Sequence, residues 1–217
     1  MMDLLQKGLE LLQPVFDVLL LIWGAIIGAS WYEQLATIFG LLGVGLMIRQ
    51  SIWTFPAGLV QVVLSGVVFY RATLYADMKL QGFFFVVLVY GWWHWTRPGE
   101  NRTVLPVTQM SWEARIGYIV AGVAGTLLWG WYQQTYTDNA MPYRDSFIAT
   151  FSILAQVLQV RKKLENWIGW IVVNLAAIAV YWMAGLYWFS VLYALFLVLA
   201  LGGYFEWRKS FRETQHG

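Results

Sequence analysis

The sequence predicts an all-α integral membrane protein with seven transmembrane helices, in which two parallel three-helix repeats are joined by a linker helix. Three observations support this fold class: the composition, the spacing of the apolar segments and an internal repeat. Of the 217 residues, 59% are hydrophobic and 12% are charged, and the mean hydropathy is +0.57. Soluble domains contain about 25% charged residues, so this composition indicates helices that cross a bilayer.

Seven apolar segments are long enough for transmembrane helices, which need about 20 apolar residues. The connections between them are short and contain charge or glycine, except for the polar loop at 96–114. Residues 1–30 are interpreted as an amphipathic helix that lies at the interface or inserts shallowly, and whether 14–28 crosses the bilayer stays open. The predicted spans are 31–48, 53–70, 74–95, 115–135, 142–160, 165–183 and 185–207.

Basic residues set the predicted orientation, because cytoplasmic loops are enriched in lysine and arginine. If the first span starts outside, ten of the fourteen basic residues fall on the inside. We therefore expect the basic tail, 208–217, to be cytoplasmic. The ten residues are Arg49, Arg97, Arg102, Arg115, Arg161, Lys162, Lys163, Arg208, Lys209 and Arg212.

An internal repeat at an offset of 112 positions divides the chain into three parts. These are a first three-helix unit at 31–95, a cytoplasmic loop with a linker helix at 96–141, and a second unit at 142–207. The extra crossing makes the units parallel, which is typical of transporters that bind substrate between repeats near the midplane; a duplication kept only for packing is the alternative. Positions in register include Glu33 with Asp145, Arg49 with Arg161, Phe55 with Trp167, Gly91 with Gly203 and Trp95 with Trp207.

The polar residues inside the predicted spans are mostly neutral amides. In the sixth span Asn166, Trp170, Asn174 and Tyr181 share one helical face at steps of 4, 4 and 7. Amides in hydrocarbon need partners, and either a ligand or a neighbouring helix can supply them, so both interpretations are open. Amides carry no charge for ion coupling, which favours facilitated diffusion over pumping; Asp77 is the one weak candidate for coupling.

The composition excludes several classes of function. The chain has no cysteine and only two histidines, which removes disulfides, thiolate nucleophiles and a histidine-based metal centre. No P-loop, H-E-x-x-H or G-x-S-x-G motif occurs in the sequence. We expect the protein not to be an enzyme, and we expect no cofactor, no metal and no nucleic-acid partner.

A specific signature lies in the second repeat, where residues 161–174 read R-K-K-x-E-N-W-x-x-W-x-x-x-N. Together with Tyr181, the opening W-Y-E at 31–33 and the closing W-R-K at 207–209, it resembles the PnuC-type vitamin transporters over residues 31–210. The resemblance implies a full-length SWEET-like fold of 3+1+3 helices, a homotrimer, and uptake of nicotinamide riboside across a bacterial inner membrane. It also implies facilitated diffusion, with a cytoplasmic nicotinamide riboside kinase that traps the substrate.

The resemblance also points to candidate binding residues, since Trp167, Trp170 and Asn174 match the family motif. Tryptophan faces suit a flat cationic ring, and amides suit a carboxamide and ribose hydroxyls. A phosphorylated substrate would require a buried arginine, and no predicted span has one in its middle, which favours the nucleoside over the nucleotide. The candidate substrate-binding residues are Trp53, Gln61, Gln156, Asn166, Trp167, Trp170, Asn174 and Tyr181.

Two kinds of alternative stay open at this point. Thiamine, riboflavin or a deoxynucleoside would suit the same amides and tryptophans. A non-transporting membrane assembly protein, in which asparagine and tryptophan only join helices, is the alternative from another class. The first repeat also departs from the motif, because Phe55 and Gly58 stand where the second repeat has tryptophans, so the two faces of any site are unequal.

Overall fold

The fold was analysed in a computed structural model that describes residues 30–71, 75–97 and 104–216, together with Gly24 and Gly28. The predicted N-terminal helix at 1–30 lies almost wholly outside the described residues. The described residues form seven α-helices: α1 Trp31–Ile48, α2 Thr54–Arg71, α3 Tyr75–Trp95, α4 Trp112–Tyr136, α5 Pro142–Val160, α6 Asn166–Met183 and α7 Tyr187–His216.

Two helix boundaries differ from the predicted spans for physical reasons. The helix α4 begins three residues earlier than 115, because Ser111 caps it by accepting a hydrogen bond from the backbone N–H of Ala114 at 3.3 Å. The helix α7 continues to His216 instead of ending at 207. Its last turns contain arginine, lysine and glutamate, which are good helix formers, so the apolar pattern ends before the helix does.

In the part of the chain that the structure describes, four helical segments are long and apolar enough to cross a membrane by length and composition: Trp31–Ile48, Thr54–Arg71, Asn166–Met183 and Phe189–Gln215. The helices α3, α4 and α5 contain more polar, glycine or aromatic residues, and their crossing stays a prediction. The helix α4 nevertheless exposes a continuous apolar surface, whose contact with water would be unfavourable. That surface includes Ile116, Ile119, Val120, Val123, Leu127 and Leu128.

The helices pack in an order that is the same in both halves of the chain. The helix α2 lies between α1 and α3, and α6 lies between α5 and α7, while α4 packs on α5. The two halves meet where α3 contacts α5 and where α1 contacts α7. These two contacts correspond in the internal repeat, because the 112-residue offset relates α3 to α7 and α1 to α5.

Four aromatic rings fill the core where the two halves meet. The Phe55 and Trp95 rings pack edge to face with centroids 5.1 Å apart, and Trp167 and Trp207 do the same at 5.4 Å. The two pairs join through Trp95 and Trp207, whose centroids are 6.2 Å apart. All four side chains are buried, so this core contributes strongly to stability through apolar burial and ring geometry.

Two indole hydrogen bonds connect the halves at the same end of the bundle. The Trp95 Nε1–H donates to the Val160 carbonyl at 2.9 Å, and the Trp207 Nε1–H donates to the Met47 carbonyl at 3.1 Å. Each acceptor lies in the last turn of a helix from the other half, where carbonyls lack intrahelical partners. The end of α1 is therefore tied to α7, and the end of α5 is tied to α3.

The turns that follow α1 and α5 have the same backbone conformation. Gln50 and Lys162 both have a φ of 54°, and each backbone N–H donates to the carbonyl three residues earlier, at 2.9 Å and 3.0 Å respectively. Among the described residues, a chain segment pairs with the second turn and none pairs with the first. The segment 104–111, here called the strap, pairs with it through Thr108 N–H to the Lys162 carbonyl and Leu164 N–H to the Thr108 carbonyl.

Lys162, counted from the sequence among the basic residues of the inside loops, is completely buried beneath the strap. Its ammonium donates to the Leu105 carbonyl at 2.6 Å and lies 4.4 Å from the centroid of the Trp95 ring. Burial lowers the pKa of Lys162 to about 8, because the charged form loses its hydration.

Candidate functional site

Two amide side chains on α5 and α6 lie inside the bundle without a partner. Gln156 and Asn174 are 9% and 5% exposed. No hydrogen bond to either side chain is formed among the described residues. Their amide atoms keep some solvent contact, since they are not among the fully enclosed polar atoms that lack a partner. An amide that the protein leaves unpartnered can bind a polar group of a ligand.

The register of α5 against α6 places the two amides at similar depth. The Trp170 indole N–H donates to Gln159 Oε1 at 3.3 Å, which aligns these two positions across the helix pair. From that bond, Gln156 lies three residues and Asn174 four residues further into the bundle, or about 4.5 and 6 Å at 1.5 Å per residue. Trp170 is half-buried beside them, so one aromatic ring and two free amides occupy neighbouring levels.

The first half contributes Gln61 of α2, whose amide is already partnered. Its Nε2–H donates to Ser65 Oγ at 3.0 Å. Gly40 of α1 lies opposite, since a Cβ built there would be 3.5 Å from Gln61 Cγ. Gln61 comes seven residues after the start of α2, and Asn174 comes eight after the start of α6. These two amides therefore lie at comparable depths in the two halves.

Trp167 and Asn166 lie apart from this level, in the packed core at the start of α6. Trp167 is 1% exposed and contacts Gly203 and Trp207 of α7, and its indole Nε1 has no partner among the described residues. Asn166 is completely buried, and its Nδ2–H donates to the Lys163 carbonyl at 2.6 Å. Asn166 is thus bonded to the α5–α6 turn, with its Oδ1 unpartnered among the described residues, and Trp167 packs against α7.

The remaining two candidates occupy opposite ends of the bundle. Trp53 precedes α2 and is 68% exposed. Tyr181 lies near the far end of α6, where its ring stacks on Phe189 and Tyr193 of α7 with centroids 5.3 and 5.2 Å away. The register set by the Trp170–Gln159 hydrogen bond therefore puts Gln156, Trp170 and Asn174 at neighbouring levels of α5 and α6, whereas Trp53 and Tyr181 lie at other levels.

Gln159 is the residue that sequence reasoning missed. It is 6% exposed and orients the Trp170 ring through its side-chain oxygen. Its spacing of three from Gln156 puts it on the same face of α5, which was a usable signal. What the sequence did not contain was the register of α5 against α6, which decides that Gln159 meets Trp170.

The site is electrically neutral along the helices that form it. No arginine, lysine, aspartate or glutamate occurs in 34–48, 54–70, 146–160 or 166–183. Two clefts of about 200 and 470 Å³ on the bundle are lined by other residues, and neither is lined by Gln156, Trp170 or Asn174. Such a site can hydrogen-bond a neutral polar ligand and stack a flat ring, and it offers a phosphate no cation.

Comparisons with known proteins agree on one family. The family described as "Nicotinamide mononucleotide transporter" matches residues 30–209. The nicotinamide riboside transporter PnuC of Escherichia coli (strain K12) is 30% identical over 212 residues, covering 85% of this chain and 87% of that protein. The riboflavin/roseoflavin transporter RibM of Streptomyces davaonensis is 27% identical, with 82% and 84% covered.

A solved structure shows the same fold. The crystal structure of the vitamin B3 transporter PnuC superimposes with a TM-score of 0.72 at 24% identity, covering 91% of this chain and 90% of that one. This likeness concerns the fold alone. Together with the match to the family over residues 30–209, it establishes that this multi-pass membrane protein, which is not an enzyme, belongs to the nicotinamide mononucleotide transporter family that includes the PnuC nicotinamide riboside transporters.

Proposed function

We propose that this protein takes up nicotinamide riboside by facilitated diffusion, with the substrate bound between two parallel three-helix repeats. The observation that carries the proposal is the pair of partnerless amides, Gln156 and Asn174, at the level of the Trp170 ring. A carboxamide and ribose hydroxyls would satisfy those amides. A cationic nicotinamide ring would stack on the indole.

The neutral helices support a riboside over its phosphorylated form, although the family description refers to the mononucleotide. A phosphate held in a bundle interior needs an arginine or lysine, and the four helical stretches around the amides contain neither. The same neutrality supports uncoupled transport, since no titratable side chain lies at this depth in α1, α2, α5 or α6 to carry a proton or bind sodium.

The arrangement proposed for the whole chain is 3+1+3. The helices α1–α3 and α5–α7 have bounds that correspond at an offset of 112 residues, apart from one extra residue at the start of α5 and the extension of α7 beyond 207 to His216. The helix α4 packs beside the second unit on α5. We place the protein in a bacterial inner membrane as a homotrimer with a cytoplasmic C-terminus. A nicotinamide riboside kinase in the cytoplasm would trap the substrate.

Binding can be tested on the detergent-purified chain by calorimetry. Nicotinamide riboside should bind saturably, whereas its mononucleotide, thiamine and riboflavin should bind at least about tenfold more weakly, the equivalent of one lost hydrogen bond to the amides. Saturable binding of riboflavin in place of the riboside would keep the fold and change the substrate to that of the RibM relative. If none of these ligands bound, the result would favour the alternative that the amides only join helices.

The site is tested by Asn174→Leu and Gln156→Leu. Each should weaken riboside binding by about tenfold or more, because a ligand group would lose its partner. Gln81→Leu is the matched control: it also removes a buried amide, but it lies on α3 beside a different cleft. Equal affinity of all three variants and the parent would remove the amide pair from the site.

Transport is tested in proteoliposomes. Labelled riboside should equilibrate across the membrane without concentrating, and enclosing a riboside kinase with ATP should convert equilibration into accumulation. Accumulation driven by a proton or sodium gradient without the kinase would contradict uncoupled transport.

A further inference from the structure

A cleft of about 470 Å³ opens on the side of the bundle, away from the amide pair. Its floor is formed by α6, its sides by α4 and the end of α7, and its upper edge by the strap. None of the eight candidate substrate-binding residues lines it. The transport proposal therefore gives this cleft no role.

The wall of the cleft is apolar and its mouth is cationic. Ile119, Ile168 and Val172 line the wall, and these side chains are 58%, 48% and 40% exposed. Arg115 and Arg208 line the mouth. A cleft with an apolar wall and a cationic mouth is complementary to an amphiphile that has an apolar tail and an anionic head.

The two arginines differ in whether their charge is already neutralised. Arg115 forms a salt bridge of 2.7 Å with Glu165, whose carboxylate also accepts the Met110 backbone N–H. Arg208 forms no ion pair with any residue that the structure describes. Its guanidinium lies 5.9 Å from the centroid of the Tyr204 ring. One positive charge at the mouth is therefore available to an anion.

The depth of Arg208 fits the headgroup level of a bilayer. Arg208 lies 21 residues after Tyr187, the first residue of α7, which corresponds to about 32 Å along the helix. The hydrocarbon core is about 30 Å thick. Trp112, at the start of α4 and the same end of the bundle, is 69% exposed, as is typical of tryptophans at the membrane interface.

We propose that this cleft binds an anionic phospholipid, with the phosphate on Arg208 and an acyl chain along Ile119, Ile168 and Val172. A free phosphate could bind the arginine, but it has no apolar part that would contact the wall. A zwitterionic lipid would also fill the wall, but the arginines at the mouth would repel its ammonium group. An anionic lipid satisfies both parts, and a charge-assisted contact to phosphate is among the stronger hydrogen bonds.

The first test is lipid retention by the full detergent-purified chain, measured by native mass spectrometry and by thermal unfolding. Phosphatidylglycerol should be retained and should raise the unfolding temperature, whereas phosphatidylcholine should do so about tenfold more weakly. Arg208→Gln should abolish the difference between the two lipids. Arg212→Gln is the matched control, because Arg212 lies one turn further along α7 and does not line the cleft.

A second variant tests the apolar wall independently of charge. Ile168→Trp should reduce retention of phosphatidylglycerol while leaving both arginines in place, and the position is half exposed, so the larger ring has room on the surface. Inorganic phosphate at equal concentration should not displace the lipid.

Three results would overturn the proposal. They are equal retention of the two lipids, retention of phosphatidylglycerol by Arg208→Gln, and protection of the cleft by another copy of the chain. The last is readily measured because the chain has no cysteine: a single cysteine in place of Ile168, labelled with a fluorophore, should be quenched by brominated phosphatidylglycerol and not buried on oligomer formation.

Discussion

Alanine at Gly203 tests the tryptophan core most directly. A Cβ at this position would lie 2.5–2.6 Å from three atoms of the Trp167 ring, far inside the optimal separation of about 3.5–4.0 Å between carbon atoms. Trp167 is 1% exposed, and Trp207, which packs against its ring, is fully buried. The ring therefore has no open space into which it could move.

The expected loss of stability follows from two opposing terms. Overpacking costs about 1–3 kcal/mol, whereas replacing glycine by alanine in a helix contributes about 1 kcal/mol of stabilisation. Gly202→Ala isolates the second term, because nothing lies within 4 Å of a Cβ built at Gly202. Relative to this control, Gly203→Ala should lose about 1–3 kcal/mol, or roughly 2–12 °C in unfolding temperature for a chain of this length.

The measurement is thermal unfolding of the detergent-purified variants, with size-exclusion chromatography to show that the oligomer is unchanged. Gly91→Ala repeats the test in the first half, where the added carbon would lie 2.5 Å from Phe55 and 2.6 Å from Val160; Gly82→Ala is its control. Unfolding temperatures of the test variants within about 1 °C of their controls would refute the packing described.

Three further predictions concern the same end of the bundle. Trp207→Phe removes the indole donor to the Met47 carbonyl, which keeps its hydrogen bond from the Gln50 N–H, so it should cost about 0.5–1.5 kcal/mol, whereas Trp112→Phe at an exposed position should change the unfolding temperature little. Arg115→Gln should destabilise by about 1–3 kcal/mol, less than a fully buried pair because solvent reaches Arg115, and adding Glu165→Gln should restore part of the loss. Stability should rise between pH 8 and about 10.5, because in that range the unfolded chain still binds the Lys162 proton that the folded chain has released; Lys162→Met should abolish that part of the rise.

The helices could be predicted from sequence because each is an apolar run bounded by charge, glycine or proline. The environment of Trp167 could not, because it depends on Gly203, 36 residues away, leaving space for an indole ring. Periodicity places Asn166 and Asn174 on one face, yet the Asn166 Nδ2–H donates to the α5–α6 turn, whereas Asn174 forms no side-chain hydrogen bond with any residue that the structure describes. Lys162 resembles an ordinary loop cation until the strap covers it. In each case the missing information is a contact between distant segments.

Corresponding positions of the two halves carry different side chains, and we expect this difference to concentrate the proposed substrate site in the second half. In the second half α6 begins with an indole ring, Trp167, and the turn before it is covered by the strap; the first half has the smaller Phe55 and no strap pairing among the described residues. The amides of the two halves also differ in whether they already have a partner.

Gln61 already donates to its own helix, so a ligand would have to compete with an existing hydrogen bond, whereas Asn174 and Gln156 would gain a first partner. Because a net hydrogen bond is worth more when it replaces an unsatisfied group, α5 and α6 should supply most of the binding free energy, and Gln61→Leu should weaken riboside binding less than Asn174→Leu does in the same titration.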